Sequence, residues 1–132
     1  MATKVIFRTV NLDCSDAHAM ARFYGGLLGW EPTDVEPDWV LMRDPGGATG
    51  LSFQQTPDFV PPVWPEELGR QQKMIHLDLK VEPGEGQDEQ AALADAVALA
   101  LSLGGTLPEP QGRDDLRVVL DPSGHPLCLF LV

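Results

Sequence analysis

Apolar residues recur along this chain with two different periods. Residues 4–12 (Lys-Val-Ile-Phe-Arg-Thr-Val-Asn-Leu) are rich in β-branched and large apolar types, with Val5, Phe7, Thr9 and Asn11 on one face, which predicts a strand. Asp13-Cys-Ser-Asp then offers Ser15 or Asp16 as a helix cap. Ala17, Met20, Ala21, Tyr24, Leu27 and Leu28 follow at steps of three and four, so a helix is expected over 16–28, ended by Gly29. Trp30-Glu31, Trp39–Met42 and Leu51–Gln55 read as short strands, with Asp44-Pro-Gly-Gly47 as the turn before the last. Residues 57–72 contain Pro57, Pro61, Pro62 and Pro65 among Phe59 and Trp64. That many prolines exclude a helix or central strand and predict an ordered loop.

The pattern then restarts. Met74–Val81 alternates, with Ile75, Leu77, Leu79 and Val81 on one face and His76, Asp78 and Lys80 on the other. Asp88 can cap an alanine-rich helix running to Leu103, with Leu93, Val97, Ala100 and Leu101 as its core stripe and Gly104-Gly105 as its stop. Leu116–Leu120 and Leu127–Val132 read as strands flanking Asp121-Pro-Ser-Gly124. The halves answer each other: Leu28-Gly29 matches Leu103-Gly104, and Asp44-Pro45-Gly46-Gly47 matches Asp121-Pro122-Ser123-Gly124. A repeat too small to stand alone implies two modules closing one core. Module one is expected at about 1–56, the connecting loop at 57–72 and module two at about 73–132, within a single domain over 1–132.

Composition narrows the function classes. A chain of 132 residues fits one domain, and 43% apolar content supplies a core. The net charge of −11 and the lack of any basic stripe exclude nucleic acid as an expected partner and weakly favour a cationic or neutral small ligand. No apolar run approaches the ~20 residues of a membrane span, so no membrane partner is expected. The opening Met1-Ala-Thr-Lys-Val-Ile-Phe lacks the long apolar stretch of a secretion signal. Two cysteines, Cys14 and Cys128, are too few for a disulfide scaffold; reduced thiols and a cytoplasmic location are expected.

Asp16–Gly29 (Asp-Ala-His-Ala-Met-Ala-Arg-Phe-Tyr-Gly-Gly-Leu-Leu-Gly) resembles the first-helix signature of the vicinal oxygen chelate superfamily, which includes glyoxalase I, extradiol dioxygenases, and fosfomycin- and bleomycin-resistance proteins. Asp121-Pro-Ser-Gly-His-Pro-Leu-Cys-Leu is similar to its Asp-Pro-x-Gly-Asn-x-x-Glu-Leu ending. The stretch from Leu51-Ser-Phe-Gln-Gln-Thr-Pro through Pro62-Val-Trp-Pro65 to His76-Leu-Asp-Leu is similar to glyoxalase-like domain proteins of unassigned substrate. The resemblance spans nearly the whole chain. It implies an α+β fold of two βαβββ modules forming a curved mixed sheet around one cleft.

The resemblance also implies where a divalent ion would be held: the first and last strands of each module, with His or Gln from the first strands and Glu from the last. Several N or O donors must converge from rigid elements and leave positions open for a bidentate substrate. Counting from the motifs, these places fall on Thr9, His76 and Cys128, with Leu51 as the fourth unless a shifted hairpin brings Gln54 or Gln55 there. Only His76 is a strong ligand of the usual kind, so no cofactor is expected, and a divalent metal would rest on His76. A cleft would be lined by Thr9, Phe53 or Gln55, Trp64 and Cys128, with His76 as the candidate catalytic base beside the Cys128 thiol.

The residues leave three readings open. The chain is a small-molecule-binding protein of the resistance or sequestration type with a degenerate metal site; or it is a lyase, isomerase or dioxygenase working around His76 on an unknown small substrate; or it is a non-catalytic interaction module. Relatives of this size commonly pair, and small sheets leave edges to cover, so a homodimer is expected.

Overall fold

The computed structural model describes residues 2–131, and the chain divides into two compact units, 1–59 and 60–132, each with its own helix and sheet. Val132, the expected end of the last strand, lies outside the described residues.

In the first unit, β1 (Thr9–Cys14), α1 (Ala17–Leu28), β2 (Pro32–Glu36), β3 (Trp39–Arg43) and β4 (Gly50–Gln55) make a βαβββ module. Its sheet runs in the order β1-β4-β3-β2, with β1 and β4 parallel and the other pairs antiparallel. The helix begins where Asp16, in an extended conformation, accepts hydrogen bonds from the backbone N–H groups of His18 and Ala19 at 3.1 and 3.0 Å. It ends at Gly29, whose φ of 72° places it in the left-handed region that favours glycine. Ala17, Met20, Ala21, Phe23 and Tyr24 are buried, and α1 packs over β3 and β4. Tyr24 stacks on Phe53 at 5.5 Å between ring centroids, so Leu12, Phe53 and Val40, neighbours across three strands, form the layer beneath the helix.

Two expectations shift here. The first strand begins at Thr9, not at residue 4; Val5, Ile6 and Phe7 are exposed and outside any strand. The second strand is Pro32–Glu36 rather than Trp30-Glu31. It is an edge strand exposed at every position, so no apolar alternation marks it.

The second unit repeats the order with one strand reduced. β5 (Leu77–Lys80), α2 (Glu89–Ser102), β6 (Leu116–Leu120) and β7 (Pro126–Phe130) form a sheet in the order β5-β7-β6, parallel then antiparallel. Asp88 caps α2 by accepting from the Ala91 N–H, and α2 packs over β6 and β7, burying Leu93, Ala100, Val119, Leu127 and Leu129. Where a further strand would flank β6, a single bridge joins Thr106 to Leu120. Beyond it the Gln111 carboxamide takes the place of a backbone: its Oε1 accepts from the Val118 N–H at 2.9 Å and its Nε2 donates to the Val118 carbonyl at 3.0 Å. Residues 57–72 contain no helix or strand, as the prolines require, and Pro61 packs against Gly124, where an added Cβ would meet the Pro61 Cβ at 3.3 Å. No helix among the described residues is long and apolar enough to cross a membrane.

Candidate functional site

Strand parity settles which residues of each sheet face away from its helix. In the second unit, Leu77, Leu79, Val119, Leu127 and Leu129 lie on the α2 side. Asp78, Lys80, Val118, Cys128 and Phe130 take the other face, since the register pairs Asp78 with Cys128, Cys128 with Val118, and Lys80 with Phe130. His76 precedes β5 by one residue and shares this face with Asp78, two positions on. Its Nε2 stands 3.3 Å from Asp78 Oδ1. Each of His76, Asp78 and Cys128 offers one ligand atom, and these atoms all lie within 4.8 Å of one another.

His76 and Cys128, singled out on sequence grounds, are thus brought together, and Asp78 joins them as a third donor. Asp78 also borders a hollow of about 250 Å³ lined by Leu116, Phe130 and Leu131 with Arg113 and Asp115. Arg113 and Asp115 form a two-pronged ion pair at 2.9 and 2.8 Å. That hydrogen-bonded pairing raises the Arg113 pKa and lowers that of Asp115. Burial pushes the Cys128 thiol up from its ordinary value, and Asp78 pushes it further, by its negative charge and by accepting the thiol's hydrogen bond. The thiol is therefore held in its protonated form at neutral pH, which makes it a poor nucleophile.

The first unit carries corresponding positions. Thr9 Oγ1 accepts from an Arg43 guanidinium N–H at 2.7 Å, and Asn11 Nδ2 donates to Ser52 Oγ at 2.7 Å. Here a motif count goes wrong. The turn after β3 closes with the Asp44 N–H donating to the Thr49 carbonyl, whereas the turn after β6 closes with Asp121 donating to His125. The first turn is one residue longer, so the residue that corresponds to Cys128 is Ser52, not Leu51, Gln54 or Gln55. A one-residue offset reverses side-chain facing, and Leu51 lies on the α1 side of its sheet with Phe53.

The remaining candidates have local roles. Phe53, expected to line a binding cleft, is fully buried and stacked on Tyr24. Gln55 Oε1 accepts from the Ala17 N–H at 3.1 Å, adding a second cap to α1, and the residue borders a separate hollow with Ser15, Asp38, Thr56, Pro57 and Phe59. Trp64, half-buried in the proline-rich segment, receives the Lys73 ammonium 5.2 Å from its ring centroid, and Lys73 also pairs with Glu66.

The vicinal oxygen chelate resemblance implies a metal held by His or Gln and Glu side chains. The residues at those places here are Thr9, Ser52, His76 and Cys128. Thr9 and Ser52 offer only neutral hydroxyls, weak donors to a divalent ion, so these four residues do not reproduce the implied set of imidazole, carboxamide and carboxylate donors. The N, O and S donors of His76, Asp78 and Cys128 form a chemically different group.

Comparison with known proteins places this geometry in a family. The sequence model of the glyoxalase-like domain matches residues 9–130. Among solved structures, a glyoxalase-related enzyme from Fulvimarina pelagi superposes with a TM-score of 0.68 at 19% identity, covering 99% of this chain and 89% of its own. A glyoxalase/bleomycin resistance protein from Albidiferax ferrireducens T118 gives 0.62 at 20% identity, covering 96% of this chain and 98% of its own. A glyoxalase/bleomycin resistance protein/dioxygenase family enzyme from Burkholderia phytofirmans PsJN gives 0.67 at 18%, with coverage of 97% and 99%. No curated protein matches the sequence. Two helix-backed mixed sheets in repeated order, with the family's motifs at their turns, make this chain a member of the glyoxalase-like domain family of the vicinal oxygen chelate superfamily.

Proposed function

We propose that the protein binds a small molecule and holds it without turning it over, in the manner of resistance and sequestration proteins. The observation that carries this reading is the face of the second sheet turned away from α2. Beside the polar group of His76, Asp78 and Cys128 lies a hollow floored by Phe130 and Leu116 and rimmed by Asp78, Arg113 and Asp115, a mixture of apolar surface and few polar groups that suits a ligand. The places where the family's metal ligands fall bear Thr9, Ser52 and Cys128, and a thiol kept protonated is a poor catalyst. Carboxylates at the rim and an overall charge of −11 favour a neutral or cationic ligand. The protein works as a cytoplasmic homodimer with reduced thiols, apart from nucleic acid and membranes.

A thermal-shift screen of neutral and cationic small molecules, with chelator present, tests this. Saturable binding that Phe130→Ala and Asp78→Asn both weaken is expected, with the recovered ligand chemically unchanged. Recovery of a converted ligand would overturn the reading in favour of a lyase, isomerase or dioxygenase. The 3.3 Å contact of His76 with Asp78 is the feature that favours that second reading, because a carboxylate can orient an imidazole for proton transfer.

A further inference from the structure

We infer that His76, Asp78 and Cys128 form a three-donor site for a thiophilic divalent cation of the zinc class, built entirely from the second module. The geometry arises from two strand rules acting together. His76 and Asp78 are two residues apart along one strand direction and so share a face. Cys128 is set beside Asp78 by the parallel register of β5 with β7, where neighbouring strands stand about 4.8 Å apart. The three ligand atoms already lie within 4.8 Å of one another. Donors to one zinc ion, at bond lengths of ~2.0–2.3 Å, stand about 3.5 Å apart. His76 and Asp78 are 43% and 62% exposed, so small rotations of unconfined side chains close the triangle around an ion.

Donor chemistry selects the ion. One imidazole nitrogen, one carboxylate oxygen and one sulfur match zinc's mixed preference, whereas magnesium and manganese prefer all-oxygen shells. Three protein ligands leave a fourth position open, and Asp78 also borders the hollow of about 250 Å³, so that position is accessible to a ligand. Binding converts the Cys128 thiol to its thiolate and releases the proton to solvent, with no change of oxidation state. The site differs from the family's implied ligand set in two respects: Asp78 contributes, and sulfur stands where that set has a carboxylate.

The test is a cobalt titration of the full chain, stripped with chelator and kept reduced. One equivalent of Co²⁺ should give a thiolate-to-cobalt charge-transfer band in the near ultraviolet, and Zn²⁺ should displace it while Mn²⁺ does not. Cys128→Ser should abolish the band, and His76→Ala and Asp78→Asn should each weaken zinc binding by about tenfold or more. Circular dichroism of each variant verifies the fold. Cys128→Glu, which restores the family's carboxylate, should shift preference from zinc toward manganese. Absence of saturable cobalt binding, a band that persists in Cys128→Ser, or manganese displacing cobalt from the native protein would each overturn the assignment. The chelator-treated ligand screen reads small-molecule binding separately, so either result can fail without the other.

Discussion

Asp78 and Cys128 are direct neighbours across the parallel strands β5 and β7, and the carboxylate accepts a hydrogen bond from the thiol it faces. Burial raises the thiol's pKa first and Asp78 raises it further, and the same carboxylate sets an oxygen donor beside the sulfur and the His76 imidazole.

The first prediction concerns that thiol in metal-free protein. Alkylation requires the thiolate, so a raised pKa moves the pH dependence of the Cys128 rate to higher pH than for an ordinary cysteine. In Asp78→Asn the carboxylate's charge is gone and the curve moves back toward lower pH, though burial keeps it above the ordinary value. Mass spectrometry of iodoacetamide-treated protein with chelator present, which resolves Cys128 from the buried Cys14, measures both curves.

Phe53 is predicted to matter for stability. Removing a fully buried ring stacked on Tyr24 leaves a cavity, and Phe53→Ala should cost about 3–5 kcal/mol, read from urea denaturation. Phe53→Leu, closer in volume, should cost about 1.5 kcal/mol or less. Both variants, while folded, should keep the cobalt spectrum of the native protein, because Phe53 lies in the other unit.

Gln111 should behave as a piece of sheet. Gln111→Ala removes both bonds to the Val118 backbone and one to the Pro108 carbonyl. Water can replace part of that, so a loss of about 1–3 kcal/mol is expected in chemical denaturation. The uncovered β6 edge should also raise the aggregation rate measured by light scattering at elevated temperature.

Gln55→Ala should lower stability by about 0.5–1.5 kcal/mol by depriving the Ala17 N–H of its acceptor at the start of α1. Metal binding in the second unit should not change. Isothermal titration with zinc, beside a urea melt, reads both.

For assembly, multi-angle light scattering at micromolar concentration should give twice the chain mass. Val5, Ile6 and Phe7 are 93%, 69% and 70% exposed and precede β1, an edge strand, so pairing has apolar surface to cover. Replacing all three with serine should shift the mass toward the monomer; an unchanged dimer would place the interface elsewhere.

Much of this fold was legible because it is written locally. Asp16, Gly29 and Asp88 mark helix ends by chemistry that needs no tertiary partner, and the two Asp-Pro turns announce the repeat. The shared face of the candidate residues His76 and Asp78 was legible because parity alone decides it. What escaped depends on distant partners. β2 is exposed on both faces and defined only by pairing with β3, so its sequence has no periodic signature. Gln111 looks like an ordinary loop glutamine until Val118 is beside it. Phe53 and Gln55 stand two apart on one strand, yet one packs under a helix and the other caps it, a distinction that only α1 creates.

The longer turn between β3 and β4 has a consequence for how such proteins diverge. Shortening it by one residue, with one residue inserted in β4 directly after Ser52, would put the inserted side chain at the position now held by Ser52 and leave Phe53 in register. Paired insertions and deletions in a hairpin are thus a route by which a lineage changes the side chain at one sheet position with no point substitution there. A deletion alone would turn Leu51 and Phe53 to the sheet face away from α1 and Ser52 and Gln54 toward the helix, so selection should admit the two changes only together.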